Sequence, residues 1–568
     1  MVATQVALAV PVAAWAHGPS ATVGAALIAL AVLAAVWIRV RRRWLYRWIG
    51  LALRYRARSR TLPGTAAAAD LLRFVAPDAS IDADGVVADR RGLTALVELD
   101  DPAVVRAESP HRLPSPAALL PPDDPDLPPA RMQLVVSASP APAARLGGAP
   151  PATSYRQLTE GRVPAYERAV LAVTVLRSEG WSEPDLRRAL TSLARRAGRR
   201  VTPLRARPLA GDAALRVLAE LAGHGGDHPA RESWAAVHLG GLLHEVYRLR
   251  RWPDLRAETA RRLVPRLLSL PTTAATVAVG AGPRSGSAVA ADLTVRLTAG
   301  SPSHLSAAGQ AMRRLLSAEG ATATRLDGEQ LPGLAATLPF DTGDRRVPGR
   351  RGEPPMPAAS VDVLDLPYGV AGLMVGANRH GAPVVVHLFR PDSTNAVLIG
   401  GVRAAQLVAF RAMAVGARIA VQTTRPRAWE PFVRGASAPG DVVLLLPTDR
   451  APDGPAPDPA RPLLLVVDVG PVPSGHTRGA RWQAVLVVRD DLSGADVDAV
   501  GHADLVVLQP LRTDEAMLAA NALGLGEAAD WLTRIRDDMV GVVSRRTVRW
   551  ARLSPTAIES HLIGPPAR

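Results

Sequence analysis

The chain has 568 residues, a formal net charge of +15, no cysteine, and only arginine among its 67 basic residues. Without cysteine there can be no disulfide, thiolate nucleophile, cysteine-ligated zinc or iron–sulfur centre. Without lysine there can be no Walker A lysine on a nucleotide phosphate and no Schiff base with a substrate.

The N-terminal region contains two apolar runs, Val2–Ala16 and Thr22–Ile38. The second has no charge and no proline, and at about 1.5 Å per residue it nearly crosses a hydrocarbon core of about 30 Å. We therefore predict a transmembrane hairpin over residues 1–38. A secretory signal is the alternative for the first run, because Ala14-Trp15-Ala16 looks like a cleavage site. Signals normally begin with a charged region, which is missing here, so the hairpin is favoured.

Residues 39–69 form an arginine-rich collar with nine arginines and no acidic residue. By the positive-inside rule, the collar and everything behind it are expected to stay in the cytoplasm, at the inner (plasma) membrane. Because the collar holds nine of the fifteen excess positive charges, we expect it to attract anionic lipids, and we expect no nucleic-acid binding. The residues predicted to anchor and orient the chain are Trp37, Arg39, Arg41, Arg42, Arg43, Trp44, Arg47 and Trp48.

Residues 70–340 are predicted to form a cytoplasmic α/β domain, interrupted by a proline-rich linker at residues 102–129. Residues 81–99 alternate as a β-hairpin. Helices are predicted at Pro164–Ser178, Ser182–Gly198, Gly211–Ala222, Glu232–Arg248, Leu255–Leu270 and Ser303–Glu319. Strands are predicted at Ala275–Gly280, Ala288–Thr298 and Thr322–Leu326.

A charged and proline-rich linker at residues 341–358 leads to a C-terminal domain at residues 359–568. Short apolar runs alternate there with helical stretches, which is typical of a parallel sheet covered on both faces, as in Rossmann-like domains. Strands are predicted at Ala396–Ile399, Arg418–Gln422, Asp441–Leu446, Pro462–Asp468, Ala484–Val488 and Asp504–Leu508. Helices are predicted at Arg403–Val415, Thr513–Ala522 and Ala528–Val543, the last packing on the sheet through Trp531, Ile535, Met539 and Val542.

Two segments of this domain have features of nucleotide sites. Gly400-Gly401 lies between a strand and a helix, where a doubly wound fold binds phosphate. The spacing of a dinucleotide fingerprint is missing, which favours a tight turn without a ligand. Leu464–Asp468 resembles a Walker B strand, but no Walker A lysine can accompany it.

Acidic and histidine residues offer two further possibilities. Asp490 and Asp491 follow a strand, where a glycosyltransferase could hold a metal–nucleotide pair, although a helix cap is the favoured interpretation. Four histidines are concentrated at His224, His228, His238 and His244. The six-residue spacing of the last two does not place them on one helical face, so surface or satisfied histidines are favoured. We therefore predict no catalytic residue, no cofactor and no metal site, and we expect the protein not to be an enzyme.

The order of several short motifs resembles a known family. The arginine collar is followed by Asp70–Pro77, then by Arg231-Glu232-Ser233-Trp234 and Arg251-Trp252-Pro253-Asp254. After these come Arg325-Leu326-Asp327-Gly328-Glu329-Gln330 and Ala336-Thr337-Leu338-Pro339. This pattern resembles EccE, a subunit of the membrane complex of actinobacterial type VII (ESX-type) secretion systems. The resemblance covers most of residues 20–340.

The resemblance implies two transmembrane helices, a cytoplasmic α/β region with a degenerate glycosyltransferase-like fold, and no active site. It also implies a non-catalytic structural subunit that supports protein export by scaffolding an inner-membrane complex with EccB, EccC and EccD. Its motif residues would be core or a subunit interface: Arg231, Glu232, Trp234, Arg325, Asp327 and Glu329. A membrane-anchored glycosyltransferase using Asp490 and Asp491, and a nucleotide-binding regulator using Gly400-Gly401, remain the alternatives.

Overall fold

The structure is a computed structural model of the chain. It describes residues 19–40, 43–101, 103–106, 110–143, 146–161, 163–225, 228–340, 355–369, 371–436, 443–448, 450–470, 479–526, 529–566 and 568. Two large β-sheets organise these residues, and helices pack on both faces of each sheet.

The first half of the chain mixes short strands and helices with a few long strands. Its elements up to residue 176 are α1 (Pro19–Trp37), β1 (Arg39–Val40), β2 (Arg43–Trp44), α2 (Leu45–Ala57), β3 (Thr61–Leu62), α3 (Ala68–Val75), β4 (Ser80–Ile81), β5 (Val87–Ala88), β6 (Gly92–Asp100), β7 (Val105–Arg106), β8 (His111–Arg112), α4 (Pro116–Leu119), β9 (Ala130–Ser139), α5 (Pro150–Thr159) and β10 (Tyr166–Leu176). The next are α6 (Glu183–Arg200), β11 (Arg205–Pro208), α7 (Gly211–Ala222), β12 (Ala230–Glu232), β13 (Val237–Leu239), β14 (Leu242–Arg251), α8 (Glu258–Arg261), α9 (Leu263–Leu268), β15 (Ala274–Ser285), β16 (Ala288–Ala299), α10 (Pro302–Ala318), β17 (Thr322–Arg325) and α11 (Gln330–Ala336).

The second half alternates strands and helices more regularly. Its elements are β18 (Met356–Pro357), α12 (Ala358–Asp362), β19 (Pro367–Tyr368), β20 (Leu373–Ala377), β21 (Pro383–Val386), β22 (Thr394–Ile399), α13 (Val402–Ala414), β23 (Arg418–Thr423), α14 (Pro426–Ala436), β24 (Leu444–Leu446), β25 (Leu463–Asp468), β26 (Gln483–Arg489), α15 (Val497–Gly501), β27 (Leu505–Leu508), α16 (Thr513–Leu523), α17 (Ala529–Leu532), β28 (Met539–Ser544), β29 (Thr547–Arg552) and α18 (Ala557–Ile563).

Among the described residues, no helix is both long enough and apolar enough to cross a bilayer. Helix α1, Pro19–Trp37, covers most of the predicted span Thr22–Ile38. The predictions of a membrane-anchored fold, of a transmembrane helix at Thr22–Ile38 and of a plasma-membrane location are therefore wrong. The first predicted span, Val2–Ala16, lies outside the described residues.

The first sheet has fourteen strands and is antiparallel throughout. Its main path runs β3-β12-β13-β14-β16-β15-β9-β10-β6-β5-β4, while β11, β17 and β18 pair beside it. Helices α3, α7 and α11 cover one face, and α6, α9 and α10 cover the other. The central strands are therefore buried on both sides.

Two predicted helices are strands of this sheet. Pro164–Ser178 contains β10, in which every residue from Arg168 to Val175 is buried. A strand covered on both faces has no alternating pattern, so its apolar run resembles that of a buried helix. Glu232–Arg248 contains parts of β12, β13 and β14, with a tight turn at Gly240 (φ 59°) and Gly241 (φ 73°). This pair of glycines is the hairpin signal that the helix prediction overlooked.

The second sheet has eleven strands in the order β24-β23-β25-β26-β22-β27-β28-β29-β20-β21-β7. The first six are parallel, and the other five extend the sheet in antiparallel pairings. The predicted helix Ala528–Val543 is wrong in its second half, which is strand β28. Trp531 is 62% exposed and does not pack on the sheet as predicted, whereas Ile535 and Val542 are buried.

The proline-rich segment at residues 102–129 contributes to both halves of the chain. Arg106 of β7 pairs with Val385 of β21 in the second sheet, and β8 pairs with β19. Farther along, buried Tyr155 of α5 accepts a 2.9 Å hydrogen bond from the Met374 N–H of β20. The segment between β6 and β9 and helix α5 are thus tied to the second half of the chain.

Candidate functional site

The carboxyl ends of the parallel strands meet at one edge of the second sheet, which is where open α/β sheets usually bind ligands. This edge gathers the residues that were candidates for nucleotide or metal chemistry. They are Gly400 and Gly401 after β22, Asp468 at the end of β25, and Asp490 and Asp491 after β26. Gln509, which follows β27, also lies there.

The Gly400-Gly401 turn is occupied by a side chain of the protein itself. The Gly401 N–H donates to Oε1 of Gln509 at 2.8 Å, and the side-chain amide of Gln509 donates to the carbonyl oxygen of Pro566. Gln509 is fully buried, and a side chain at position 400 would collide with it. The Gly401 N–H, which would donate to a phosphate, therefore donates to the amide oxygen of Gln509. The chain beyond α18 contacts the same Gln509 side chain through Pro566.

Asp468, the Walker B-like residue, is surrounded by internal donors. Its Oδ2 accepts hydrogen bonds of 2.9 Å from Thr423 Oγ1 and from the indole Nε1 of Trp429. The guanidinium of Arg425 bridges Asp468 and Asp490, and this pairing raises the pKa of Arg425. The negative charge of Asp468 is therefore compensated by Arg425 of the same chain.

Asp491 is held by arginines other than the one that holds Asp490. Arg512 Nη1 donates to it at 3.0 Å and Arg568 Nη2 at 3.1 Å. Arg568 also pairs with Glu515, whose side chain is fully buried. Burial raises the pKa of Glu515. The hydrogen bonds from Arg568 and from the Arg512 and Leu492 N–H groups outweigh this effect and lower the pKa to about 2.

The edge as a whole is a closed ion-pair network. Asp490 and Asp491 are drawn to different arginines, so they do not converge on one metal position. Across the described ranges, no group of three His, Cys, Asp or Glu side chains could hold a metal ion. These ion pairs tie Arg568 to the turn after β26 and to α16, and they tie Arg425 to the end of β25.

The four histidines do not form a site. The Nε2 of His224 lies 2.9 Å from the Ala66 carbonyl oxygen, and His238 is exposed on β13. His244 is buried on β14, with Nδ1 3.1 Å from Thr298 Oγ1 and Nε2 3.3 Å from the Leu239 carbonyl oxygen. Burial, with the positive charge of Arg296 nearby, lowers the pKa of His244 to about 3.

His244 should make the stability of the protein depend on pH. Its pKa in the folded state is about 3, below the unfolded value of 6.5. The contribution of neutral His244 to the free energy of unfolding is therefore complete above pH 6.5 and is lost as the pH falls from that value toward 3. At pH 5 the loss is about 2 kcal/mol relative to pH 7. Urea unfolding at pH 7, 6 and 5 should show a flatter dependence in His244→Gln than in wild type. The exposed control His238→Gln should keep the wild-type slope, and equal slopes in all three would contradict the assignment.

The resemblance motifs converge on the edge of the first sheet. Glu232, at the end of β12, is 2% exposed and accepts hydrogen bonds from Arg58 Nε (2.8 Å) and from the Leu331 N–H (2.8 Å). Arg58 also donates to the Gly328 carbonyl oxygen at 2.9 Å. Arg58 of the collar therefore contacts two of the motifs, the first through its ion pair with Glu232 and the second through its hydrogen bond to Gly328.

Trp234 holds the helix that precedes Arg58. Trp48 of α2 stacks on Trp234 with ring centroids 6.1 Å apart, and Tyr55 meets it edge-on at 5.1 Å. On the other side lies Gly328 (φ 73°), where a Cβ would come within 2.8 Å of the indole. Only glycine fits both this backbone angle and this close approach.

The remaining motif residues lie beside this cluster. Arg325 pairs with Asp327 (2.6 Å) and with Glu245 (3.2 Å) across β17 and β14. Arg231 is exposed on β12, and Glu329 is half-buried before α11. None of the six residues Arg231, Glu232, Trp234, Arg325, Asp327 and Glu329 is in a helix, so the prediction that Arg231, Glu232 and Trp234 open a helix is wrong. They are strand and turn residues, and among them Glu232 and Trp234 contact α2 and Arg58.

The predicted anchor residues have varied positions. Trp37 is 66% exposed at the end of α1, Trp44 is half-buried before α2, and Arg47 Nε lies 3.2 Å from the Tyr46 hydroxyl. Arg39 and Arg43 lie in the short strands β1 and β2, whereas Arg41 and Arg42 lie outside the described residues. The sequence did not indicate Arg58 as a partner of Glu232, nor Arg425, Arg512 and Arg568 at the carboxyl edge of the second sheet. An arginine partner distant in sequence leaves no local signal.

A polar cleft of about 310 Å³ separates the two sheets. Its buried Arg168 pairs with Glu98 and Glu220, and Glu220 also pairs with Arg481 from the second half of the chain. Burial raises the pKa of Asp100 at its rim, as does the neighbouring Glu98. Ion pairs within the chain account for most of the charge on its walls.

Comparisons with known proteins give little further information. No model of a known protein family matches the sequence, and no curated protein matches it. Among solved structures, the chain is similar to the genome packaging NTPase B204 from Sulfolobus turreted icosahedral virus 2 in complex with AMP, at 11% identity and a TM-score of 0.22. That likeness covers 28% of this chain and 98% of the viral one. The DNA-packaging ATPase B204 from Sulfolobus Turreted Icosahedral Virus matches with 10% identity, 28% and 97% coverage, and a TM-score of 0.21. At TM-scores this low, nothing about the function of this chain follows from the likeness.

Proposed function

We propose that this chain is a non-catalytic structural subunit of a type VII secretion complex, where it supports protein export by scaffolding EccB-, EccC- and EccD-like subunits. The secretion part of the proposal rests on the EccE resemblance. The non-catalytic part rests on one observation. The acidic side chains at the carboxyl edge of the parallel sheet, Asp468, Asp490 and Asp491, are all paired with arginines of the same chain.

The docking of α2 supports a scaffolding role. The Trp48–Trp234 stack and the Arg58–Glu232 ion pair fix this helix to the first sheet. Its opposite side presents Tyr46, Ile49 and Leu53, which are 45%, 47% and 62% exposed. Spacings of three and four residues place these side chains on one helical face. A rigidly held, exposed apolar face is typical of a surface for another protein.

We expect this face to contact the other secretion subunits. Replacing Ile49 and Leu53 together by glutamate should reduce co-purification of EccB-, EccC- and EccD-like proteins with the tagged chain about tenfold or more, since two apolar anchors are lost. The measurement is the amount of each partner recovered by affinity purification from cells that express the whole set.

Met517→Glu is the matched control, because Met517 is an equally exposed apolar residue (55%) on α16, far along the chain. Both variants should keep the wild-type unfolding temperature. If wild type recovers none of these partners, the secretion proposal is wrong. If the α2 variant recovers them fully, only the assignment of the surface is wrong.

Thermal-shift measurements separate this proposal from the two ligand-binding alternatives. The closed network predicts no shift with ATP, NAD or UDP-glucose in the presence of Mg²⁺. A shift that disappears in Asp468→Asn would favour a nucleotide-binding regulator. Turnover of a nucleotide sugar that disappears in Asp490→Asn would favour a glycosyltransferase.

A further inference from the structure

Strand β3 forms one edge of the first sheet, since β12 is its only neighbour among the described strands. The register places Thr61 of β3 opposite Arg231 of β12. One residue earlier, the Arg60 carbonyl oxygen accepts a 2.8 Å hydrogen bond from the Glu232 N–H. Along an antiparallel strand, successive residues direct their backbone groups alternately toward the partner strand and away from it. The N–H and carbonyl groups of Thr61 therefore point away from β12, toward the open side of the sheet.

The open side of β3 is accessible from solution. Ser59, Arg60 and Thr61 are all exposed. The Thr61 N–H has no hydrogen-bond partner among the described residues. In the same part of the chain, the Thr61 carbonyl oxygen accepts only a long hydrogen bond, 3.5 Å, from the hydroxyl of Ser59. An unpaired strand edge of this kind is a template for pairing with a further strand.

A groove of about 760 Å³ borders the same edge. Apolar side chains line part of it: Leu62 of β3, Phe74 of α3 and Leu331 of α11 are 9%, 9% and 3% exposed. Side chains alternate between the two faces of a sheet, so every second side chain of an added strand would lie on the Leu62 face, over this groove. Backbone pairing combined with a pocket for alternate side chains is how extended peptides bind to sheet edges.

Two exposed arginines border the edge. Arg231 lies directly opposite Thr61, so its side chain is on the same face of the sheet as that of Thr61. Neither Arg231 nor Arg60 forms an ion pair with any described residue. Residues 54–62 contain four arginines and no acidic residue. A strand with acidic side chains would complement this charge, whereas a second copy of β3 would bring like charges together.

We propose that β3 binds an extended segment of a partner protein in which acidic residues alternate with apolar residues. The segment adds as a strand beside β3, and its backbone forms hydrogen bonds with Thr61. Its apolar side chains enter the groove beside Leu62, and its acidic side chains lie on the other face, near Arg231. Such a segment can belong to any protein, so the site does not require a role in secretion.

Fluorescence anisotropy with labelled peptides and the full chain tests the proposal. The peptides alternate glutamate with valine, leucine or phenylalanine, and each has a counterpart with lysine in place of glutamate. At least one glutamate peptide should bind about tenfold more tightly than its lysine counterpart, because lysine is repelled by Arg231. Binding of none of the glutamate peptides, or equal binding of both charge types, would overturn the proposal.

N-methylation of the peptide distinguishes an added strand from other modes of binding without changing the protein. A methyl group on a nitrogen that faces β3 removes a hydrogen bond between the strands, whereas on a nitrogen that faces outward it does not. Methylated at one residue at a time, the best peptide should lose affinity about tenfold where the nitrogen faces Thr61 and keep it at both neighbouring positions. A profile without this alternation contradicts pairing with the edge of β3.

Thr61→Pro removes the corresponding donor from the protein. Proline at an edge position whose N–H points outward leaves the hydrogen bonds to β12 in place. Peptide affinity should fall about tenfold in this variant, whereas Thr61→Val, which keeps the N–H, should retain the wild-type affinity. Unchanged affinity in Thr61→Pro would disprove the role of the edge. If the unfolding temperature shows that this variant is unstable, the methylated peptides decide the question.

Arg231→Gln tests the charge at the edge. The glutamate peptide should bind about two- to fivefold more weakly to this variant, in line with the modest strength of exposed ion pairs. Arg534→Gln is the control, because Arg534 is also exposed but lies over the Trp531 ring, and it should bind the peptide as wild type does. An equal loss in both variants would mean that only the net charge of the chain attracts the peptide, and would contradict the assigned site.

Discussion

Replacing Glu232 by alanine is expected to lower the free energy of unfolding by about 3–5 kcal/mol and to release helix α2 from the first sheet. The carboxylate is 2% exposed and is the common acceptor for Arg58 and for the Leu331 N–H. Alanine leaves a partly buried guanidinium and a buried N–H without their acceptor. Urea unfolding measures the stability loss, and limited proteolysis between residues 45 and 61 measures the release of the helix.

Glu232→Gln is the matched comparison for this result. Glutamine still accepts a hydrogen bond from the Leu331 N–H but carries no charge. Burial raises the pKa of Glu232 against the opposing effects of Leu331 and Arg58, so the negative charge is itself expensive to keep. We therefore expect Glu232→Gln to lower the free energy of unfolding by less than half as much as Glu232→Ala does. Protection of α2 from protease in the alanine variant would contradict the docking role.

Replacing Glu559 by alanine is expected to cost a similar amount, about 3–5 kcal/mol, in the C-terminal half of the chain. Glu559 is 1% exposed and receives hydrogen bonds of 2.8 and 2.9 Å from Arg411, which is 2% exposed. It also accepts a 2.8 Å hydrogen bond from the Thr556 N–H at the start of α18. The change therefore leaves the buried Arg411 guanidinium without its carboxylate and removes one of the two hydrogen bonds of the capping box of α18. Urea unfolding followed by tryptophan fluorescence measures the effect.

The double variant Arg411→Met, Glu559→Met tests the reason for this loss. If the stranded guanidinium causes most of it, removing both charges together should restore all but about 1–2 kcal/mol. Arg411 also donates to the Leu553 carbonyl oxygen at 3.0 Å, so a residual loss is expected. A double variant as unstable as Glu559→Ala would show that packing around α18, rather than charge, decides the stability.

The two predicted losses reflect a general feature of this protein. Every basic side chain is arginine, whose planar fork can contact one or two carboxylates through several N–H groups. Arg425 bridges two aspartates, and Arg168 bridges two glutamates. The chain uses these forks to hold elements that are far apart in sequence. This use explains why carboxylates that could serve catalysis are occupied.

The helices and strands that were predicted well have a signal in a short window of residues. The N-cap Ser182, followed by Glu183 and Asp185, marks the start of α6, and the observed helix Glu183–Arg200 is close to the predicted one. Apolar runs such as Pro462–Asp468 predicted five of the six parallel strands within one or two residues, and the start of the sixth prediction, Asp441–Leu446, lies outside the described residues. Strand β10 was missed because burial on both faces removes the periodicity that distinguishes a strand from a helix.

The candidate sites were predictable only as separate pieces. The sequence pointed to Gly400-Gly401, Asp468 and Asp490 as adjacent to strand ends, and parallel pairing does bring them to one edge. It could not indicate that Gln509 fills the glycine turn or that Arg425 neutralises both aspartates. These partners are 43 or more residues away from the groups they contact, and no local pattern encodes such distances.

The residue types alone determined which chemistry is impossible here, because a chain without cysteine and lysine cannot form thiolate, disulfide or lysine–phosphate contacts in any fold. They also determined where the C-terminal strands and helices alternate, because burial and capping act within a few residues. Only the tertiary structure decided that Glu232 and Trp234 dock a helix, and that the backbone of Thr61 lies at the edge of a sheet. Those outcomes depend on which strands pair across the sheets, and pairing is a property of the whole chain.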